Sequence, residues 1–177
     1  MPNVACPRTV DLGLYRDISG YKREIELKGI SLEESFEWIY NCIQVIDRRK
    51  TVGIAVHSLR ELGFDKPASV KEIHDAGMNL GYSLCPPELS LALRLTFLDQ
   101  PIFQYLTLAM EPIIDKEGRA WCIAVVHNTF KKDDHKWVVC EVKSVMRHPR
   151  LSLRCYPGCL TDIYHQDMVF LFVGASE

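Results

Sequence analysis

The chain has 177 residues, of which 47% are hydrophobic and 25% charged, and its formal net charge is −2. Those figures fit one globular domain that buries roughly 70% of its unfolded surface and needs no staples to fold. The near-neutral balance excludes a protein that binds polyanions over its whole surface, and leaves room only for a local basic patch.

Seven cysteines, Cys6, Cys42, Cys85, Cys122, Cys140, Cys155 and Cys159, are odd in number and scattered. They read as reduced thiols in a cytoplasmic chain. Residues Met1 to Arg8 lack the basic stretch followed by an apolar one that marks a secretory signal. No apolar run reaches the ~20 residues of a membrane span, so no membrane contact is expected. Cys42, Cys122 and Cys140 lie in apolar segments and read as small core residues.

In chain order, Val10 to Tyr15 suggests a short edge strand. Residues 31–49 read as a helix. Ser31 and Glu34 form a capping box, Leu32, Phe36, Ile39, Ile43 and Ile46 recur on one face, and Arg48, Arg49 and Lys50 suit the negative end of the helix dipole. Residues 51–64 are ambiguous. Val52, Ile54 and Val56 alternate as in a strand, but Ile54 to Leu62 followed by Gly63 leans towards a helix.

Ser69 and Glu72 repeat the capping box, and Gly81 supplies a left-handed stop, so 69–80 is a second helix with Val70, Ile73, Met78 and Leu80 facing inward. Pro86-Pro87 breaks the chain, and Glu88 to Leu95 starts a short third helix. From Phe103 the period changes to two. Phe103 to Met110 and Ala120 to His127, with the turn Asp115 to Gly118, carry a hairpin signature. Trp137 to Val142, Leu151 to Arg154 and Met168 to Val173 are further strands. The expected fold is therefore α+β, with N-terminal helices packed on a C-terminal antiparallel meander of four to five strands in a single domain, 1–177.

Candidate chemistry is sparse. His148, Cys155, Cys159 and His165 offer zinc-type ligands. Their C-x3-C spacing is looser than a zinc knuckle, and Pro157-Gly158 suits the centre of a type II turn, so no metal is the simpler expectation. Cys85 precedes a helix N-terminus, which lowers a thiol pKa, and His74, His127 or His135 would serve as its base. Glu111, at the end of a strand, is the carboxylate alternative. No Gly-rich phosphate loop, nucleophile elbow or H-E-x-x-H helix is present, so no cofactor is expected.

Lys143, Arg147, His148, Arg150 and Arg154 make a local basic run able to follow a phosphate backbone. The helices at 70–80 and 88–95 fail as a helix-turn-helix, because their connection is too long and the second helix is too apolar to read base edges. Nucleic acid is thus not the expected partner. Arg94 is the one charge on an apolar helix and Glu111 the one charge at the end of an apolar strand, which suggests an Arg94–Glu111 pair, either ligand-binding or purely structural.

The segment Leu84-Cys85-Pro86-Pro87-Glu88, then Leu93-Arg94-Leu95, Asp99-Gln100-Pro101 and Ala109-Met110-Glu111-Pro112-Ile113, resembles a family of uncharacterised bacterial proteins with an L-C-P-x-E, L-R-L, D-Q-P, A-M-E-P-I pattern. Val169 to Val173 matches their closing aromatic strand. Where that family has a tryptophan before A-M-E-P-I, this chain has Phe103-Gln104-Tyr105. The resemblance implies a bacterial source and a genuine domain, and no activity. The sequence points to a ligand-binding or interaction domain, with a protein or small molecule as partner and a cleft between helices and sheet as the site. The alternatives are a small hydrolase using Cys85 or a carboxylate with a histidine, and a nucleic-acid-associated protein using the basic run at 143–154.

Overall fold

The structure, a computed structural model, describes residues 6–32, 37–101, 104–128, 150–157, 163–164 and 168–174. The strands are β1 (Thr9–Leu12), β2 (Ser31–Leu32), β3 (Lys50–Ser58), β4 (Ala68–Ser69), β5 (Tyr105–Leu108), β6 (Ile113–Ile114), β7 (Ala120–Asn128), β8 (Arg150–Pro157), β9 (Ile163–Tyr164) and β10 (Val169–Val173). The helices are α1 (Ile18–Leu27), α2 (Glu37–Tyr40), α3 (Val70–Asn79) and α4 (Glu88–Thr96). The fold is α+β.

The sheet is mixed, which corrects the expected meander. Its order is β1-β3-β10-β5-β7-β8-β2, with β6 beside β7, and β4 and β9 form a separate pair. β10 runs parallel to β5, and β2 parallel to β8. The final strand returns to the middle of the sheet, where Leu171 is opposite Val56 on one side and Leu108 on the other. Trp137 to Val142 lies outside the described residues.

Two corrections concern the first half. Residues 31–49 do not form one long helix. Ser31 and Leu32 pair with Ser152 and Leu153, so the apparent capping box does not start a helix. After Tyr40 the chain leaves helical geometry, and the Ile46 N–H donates to a carboxylate on α4 rather than to its own preceding turn. Residues 50–58 are a strand rather than a helix. Val52, Ile54 and Val56 are β-branched, and β3 pairs antiparallel with both β1 and β10. Cys42, expected inside, is exposed, whereas Cys122 is buried.

The capped helix was legible. Ser69 and Glu72 make both bonds of the box, and Gly81 adopts φ +87°. Its inward face is Val70, Ile73, His74 and Gly77, at helical spacing. Met78 and Leu80 are exposed instead. Gly77 lets α3 lie directly on β10, because a Cβ there would meet the Phe172 ring at 2.2 Å.

The sheet separates two apolar clusters. Leu171 joins one cluster with residues of α1, α2, α4, β1, β5 and β7. Phe170 and Phe172, pointing to the other face, join Ile73, Leu59, Ala68 and Ala109. α4 packs against β1 and also against β7 and β8. Every side chain from Glu88 to Leu95 is consequently buried. Among the described residues no helix is long and apolar enough to cross a membrane.

Candidate functional site

α4 carries two buried charges, one at each end. Glu88 sits in the first turn and has no exposed surface. Its Oε1 accepts from the Gly13 N–H at 2.7 Å and the Tyr21 hydroxyl at 2.6 Å, and its Oε2 accepts from the Ile46 N–H at 2.9 Å. Tyr21 in turn accepts from the Leu14 N–H at 3.4 Å. One carboxylate thus ties the β1–α1 connection, α1 and the approach to β3 to the N-terminus of α4, where the helix dipole also favours negative charge. Burial, reinforced by the hydrogen bond to Glu88, pushes the Tyr21 phenol up, so it is a permanent donor. The sequence marks Glu88 only as the start of the third helix. No local signal marks the three donors, because they lie 75, 67 and 42 residues away in the chain.

Arg94 is the other charge, in the last turn and wholly buried. Nη1 donates to Gln100 Oε1 at 2.5 Å and to the Val126 carbonyl at 3.4 Å, and Nη2 donates to the Phe97 carbonyl. Among the described residues Nε has no partner. Burial pulls its pKa down to about 10, which leaves it a cation at neutral pH. Gln100, also buried, is the hub of the cluster. Its Nε2 donates to the carbonyls of Gln104 and Val125, both at 3.1 Å, and its backbone carbonyl accepts from His127 Nδ1. A carbonyl only accepts, so Nδ1 carries a proton. In the sequence Gln100 stands out only within Asp99-Gln100-Pro101, and its role depends on partners that only the folded chain supplies.

Among the sequence-derived candidates, Arg94 and His127 converge on Gln100. Glu111 does not join them. It is exposed, and none of Arg94's hydrogen bonds goes to it, so the expected Arg94–Glu111 pair is replaced by neutral acceptors. Glu111 instead bears electrostatically on His74, on the other face of the sheet. Cys85 is not a loop nucleophile. It is buried, its thiol donates to the Leu171 carbonyl at 3.0 Å, and burial pushes its pKa up rather than down. Arg150, Arg154 and Cys155 lie on β8, opposite Asn128, Ala124 and Ile123 of β7. Lys143, Arg147, His148, Cys159, His165 and His135 lie outside the described residues. Among the described residues no group of three or more histidines, cysteines or acids is placed to hold a metal.

His74 is buried, and among the described residues its Nε2 has no partner. Burial holds its pKa below the ordinary 6.5, against the opposing pull of Glu111 and Asp75. As pH falls the unfolded chain takes up this proton first, so the contribution is complete above about 6.5 and is lost as pH drops towards the folded value. The urea midpoint is expected to be lower at about pH 5.5 than at about pH 7.5, and replacing His74 with leucine should shrink that difference. An unchanged difference in the variant would assign the effect to other groups.

The hairpin turn carries a third polar site. Asp115 accepts from the Glu117 and Arg119 N–H groups, from Arg119 Nε and from Trp121 Nε1. Burial pushes its pKa up, but the bonds from Trp121 and Arg119 outweigh that and hold it well below the ordinary carboxylate range. The Arg119 guanidinium lies 5.6 Å over the Trp121 ring, which meets Trp38 edge-on at 5.6 Å. These groups satisfy one another and define a turn.

Compared with known proteins, the chain matches no family model, no curated protein and no solved structure.

Proposed function

We propose that this protein is a ligand-binding domain whose site lies where the last turn of α4 meets β7, with Arg94 as the principal binding group. The observation that carries the reading is a wholly buried guanidinium whose acceptors among the described residues are all neutral and whose Nε finds none there. Taking a cation out of water costs several kcal/mol even after relaxation, and only part of that is returned by three carbonyl-type acceptors and the negative end of α4. Unsatisfied buried donors are rare in folded proteins and commonly mark function or a bound group. The partner class is a small molecule, and the setting is the cytoplasm of a bacterium. Cysteine hydrolysis gains nothing from the buried Cys85 thiol.

Native mass spectrometry of the protein purified without a metal-affinity column tests this reading. The expected result is an added small-molecule mass on the wild-type chain that is absent from folded Arg94→Met. A bare wild-type chain, or a retained molecule indifferent to Arg94→Met, would overturn the assignment of the site.

A further inference from the structure

The sheet sets α3 apart from the other helices. α1, α2 and α4 all contribute to the apolar cluster on one face of the sheet, whereas the smaller cluster around Phe170 and Phe172 has, among the described residues, one helical member, Ile73 of α3. α3 lies on that face through Val70, Ile73, His74 and Gly77, and at Gly77 the approach to Phe172 leaves no room for a methyl group. His74 sits one turn before Gly77 in this seam and is 5% exposed. A neutral imidazole can remain there. An imidazolium brings a charge and a donor on both ring nitrogens, and among the described residues no acceptor serves Nε2.

The nearby charges do not make good that loss. Glu111, from the β5–β6 connection, and Asp75, next to it in α3, both favour the protonated ring, but burial outweighs them. β4 and β10 contain no titratable residue. The β3–β4 connection carries Arg60, Glu61, Asp65 and Lys66, all exposed. His57 of β3 shares the face, opposite Phe170, and its ring lies 5.0 Å from that of Tyr82.

We propose that α3 is an acid-released flap: when His74 takes up a proton, the helix leaves β10 and bares the apolar face of Phe170 and Phe172. The open state solvates the imidazolium and the closed state does not. The open state therefore binds the proton more readily, and falling pH favours opening once it passes the ordinary histidine value of about 6.5. The release is local, because the larger core, with α4, lies on the other side of the sheet. It is independent of the Arg94 site, which belongs to α4.

Hydrogen exchange of the full chain, read by mass spectrometry and corrected for the intrinsic effect of pH, tests this. Between about pH 7.5 and about pH 5.5, the α3 amides are expected to lose up to about tenfold in protection. At the lower pH they are expected to be less protected than those of α4 and unaffected by urea below the unfolding midpoint, the mark of an opening that exposes little surface. His74→Leu is expected to abolish the pH response, and His57→Gln to keep it. The proposal is overturned if α3 keeps its protection as pH falls, if His74→Leu responds like the wild type, or if His57→Gln loses the response. It is also overturned if α3 and α4 are equally protected and equally sensitive to urea at the lower pH, since the helix then leaves only when the whole chain unfolds. Where His74→Leu does not fold, an NMR titration of the wild-type His74 ring decides. A midpoint below 6.5 is expected, and one at or above it overturns the proposal.

Discussion

Glu88→Ala is expected to lower the unfolding free energy by about 4 kcal/mol, because the Gly13 N–H, the Ile46 N–H and the Tyr21 hydroxyl lose their acceptor at roughly 1–3 kcal/mol each. Domains of this kind have only about 5–15 kcal/mol in total, so the variant sits near the edge of folding. Glu88→Gln separates the hydrogen-bond pattern from the shape. With the amide oxygen towards Gly13 and Tyr21, its NH2 faces the Ile46 N–H; with the amide flipped, the NH2 faces the Gly13 N–H. Either way two donors oppose each other, and a loss of about 2 kcal/mol is expected. Urea denaturation followed by circular dichroism measures both. If Glu88→Gln were as stable as the wild type, the carboxylate would not be the element that ties these segments to α4.

Gly77→Val should cost about 3 kcal/mol or more, through overpacking against Phe172 in a face that has no slack. Helix propensity acts the other way, since replacing glycine within a helix gains up to ~1 kcal/mol for alanine and less for valine. The 2.2 Å approach to Phe172 Cε1 decides the sign, because real Cβ contacts are never so short and the ring sits in a closed cluster with Ile73 and Leu59. A double-mutant cycle with Phe172→Leu gives the specific check. The combined loss is expected to fall short of the sum by about 1 kcal/mol, the signature of two residues competing for one volume. Additive losses would place the strain elsewhere.

Elements built by neighbours in sequence were legible from the sequence. The Ser69–Glu72 box and Gly81 specify α3 by local hydrogen bonds, although of the four residues expected to face inward only Val70 and Ile73 do so. The mainly apolar run from Leu89 to Leu95 marks α4 as a buried helix, and the alternation around Asp115 to Gly118 marks a hairpin. What misled was apolar spacing over 31–49, which satisfies a helical template although Ile39, Tyr40 and Ile43 reach the same core from a short helix and the extended segment after it. Lys50 to Ser58 failed for a related reason. Its choice between helix and strand rests on β1 and β10, and β10 lies more than a hundred residues on.

The candidate site divides in the same way. Arg94 and His127 stand out in sequence as a charge on an apolar helix and a histidine on an apolar strand, and both belong to the cluster around Gln100. The proposed partner for Arg94 was wrong, since Glu111 and Arg94 are both isolated charges and that says nothing of distance. Sequence by itself determined an α+β chain, two of its helices and its hairpin, because those depend on contacts within a few residues. The tertiary structure alone decided the mixed sheet packed against α4, the burial of Glu88 among donors from three separate segments, and the neutral acceptors around Arg94. Those depend on which distant backbone groups are brought within hydrogen-bonding reach, and loop closure over such separations leaves no periodic trace in the chain.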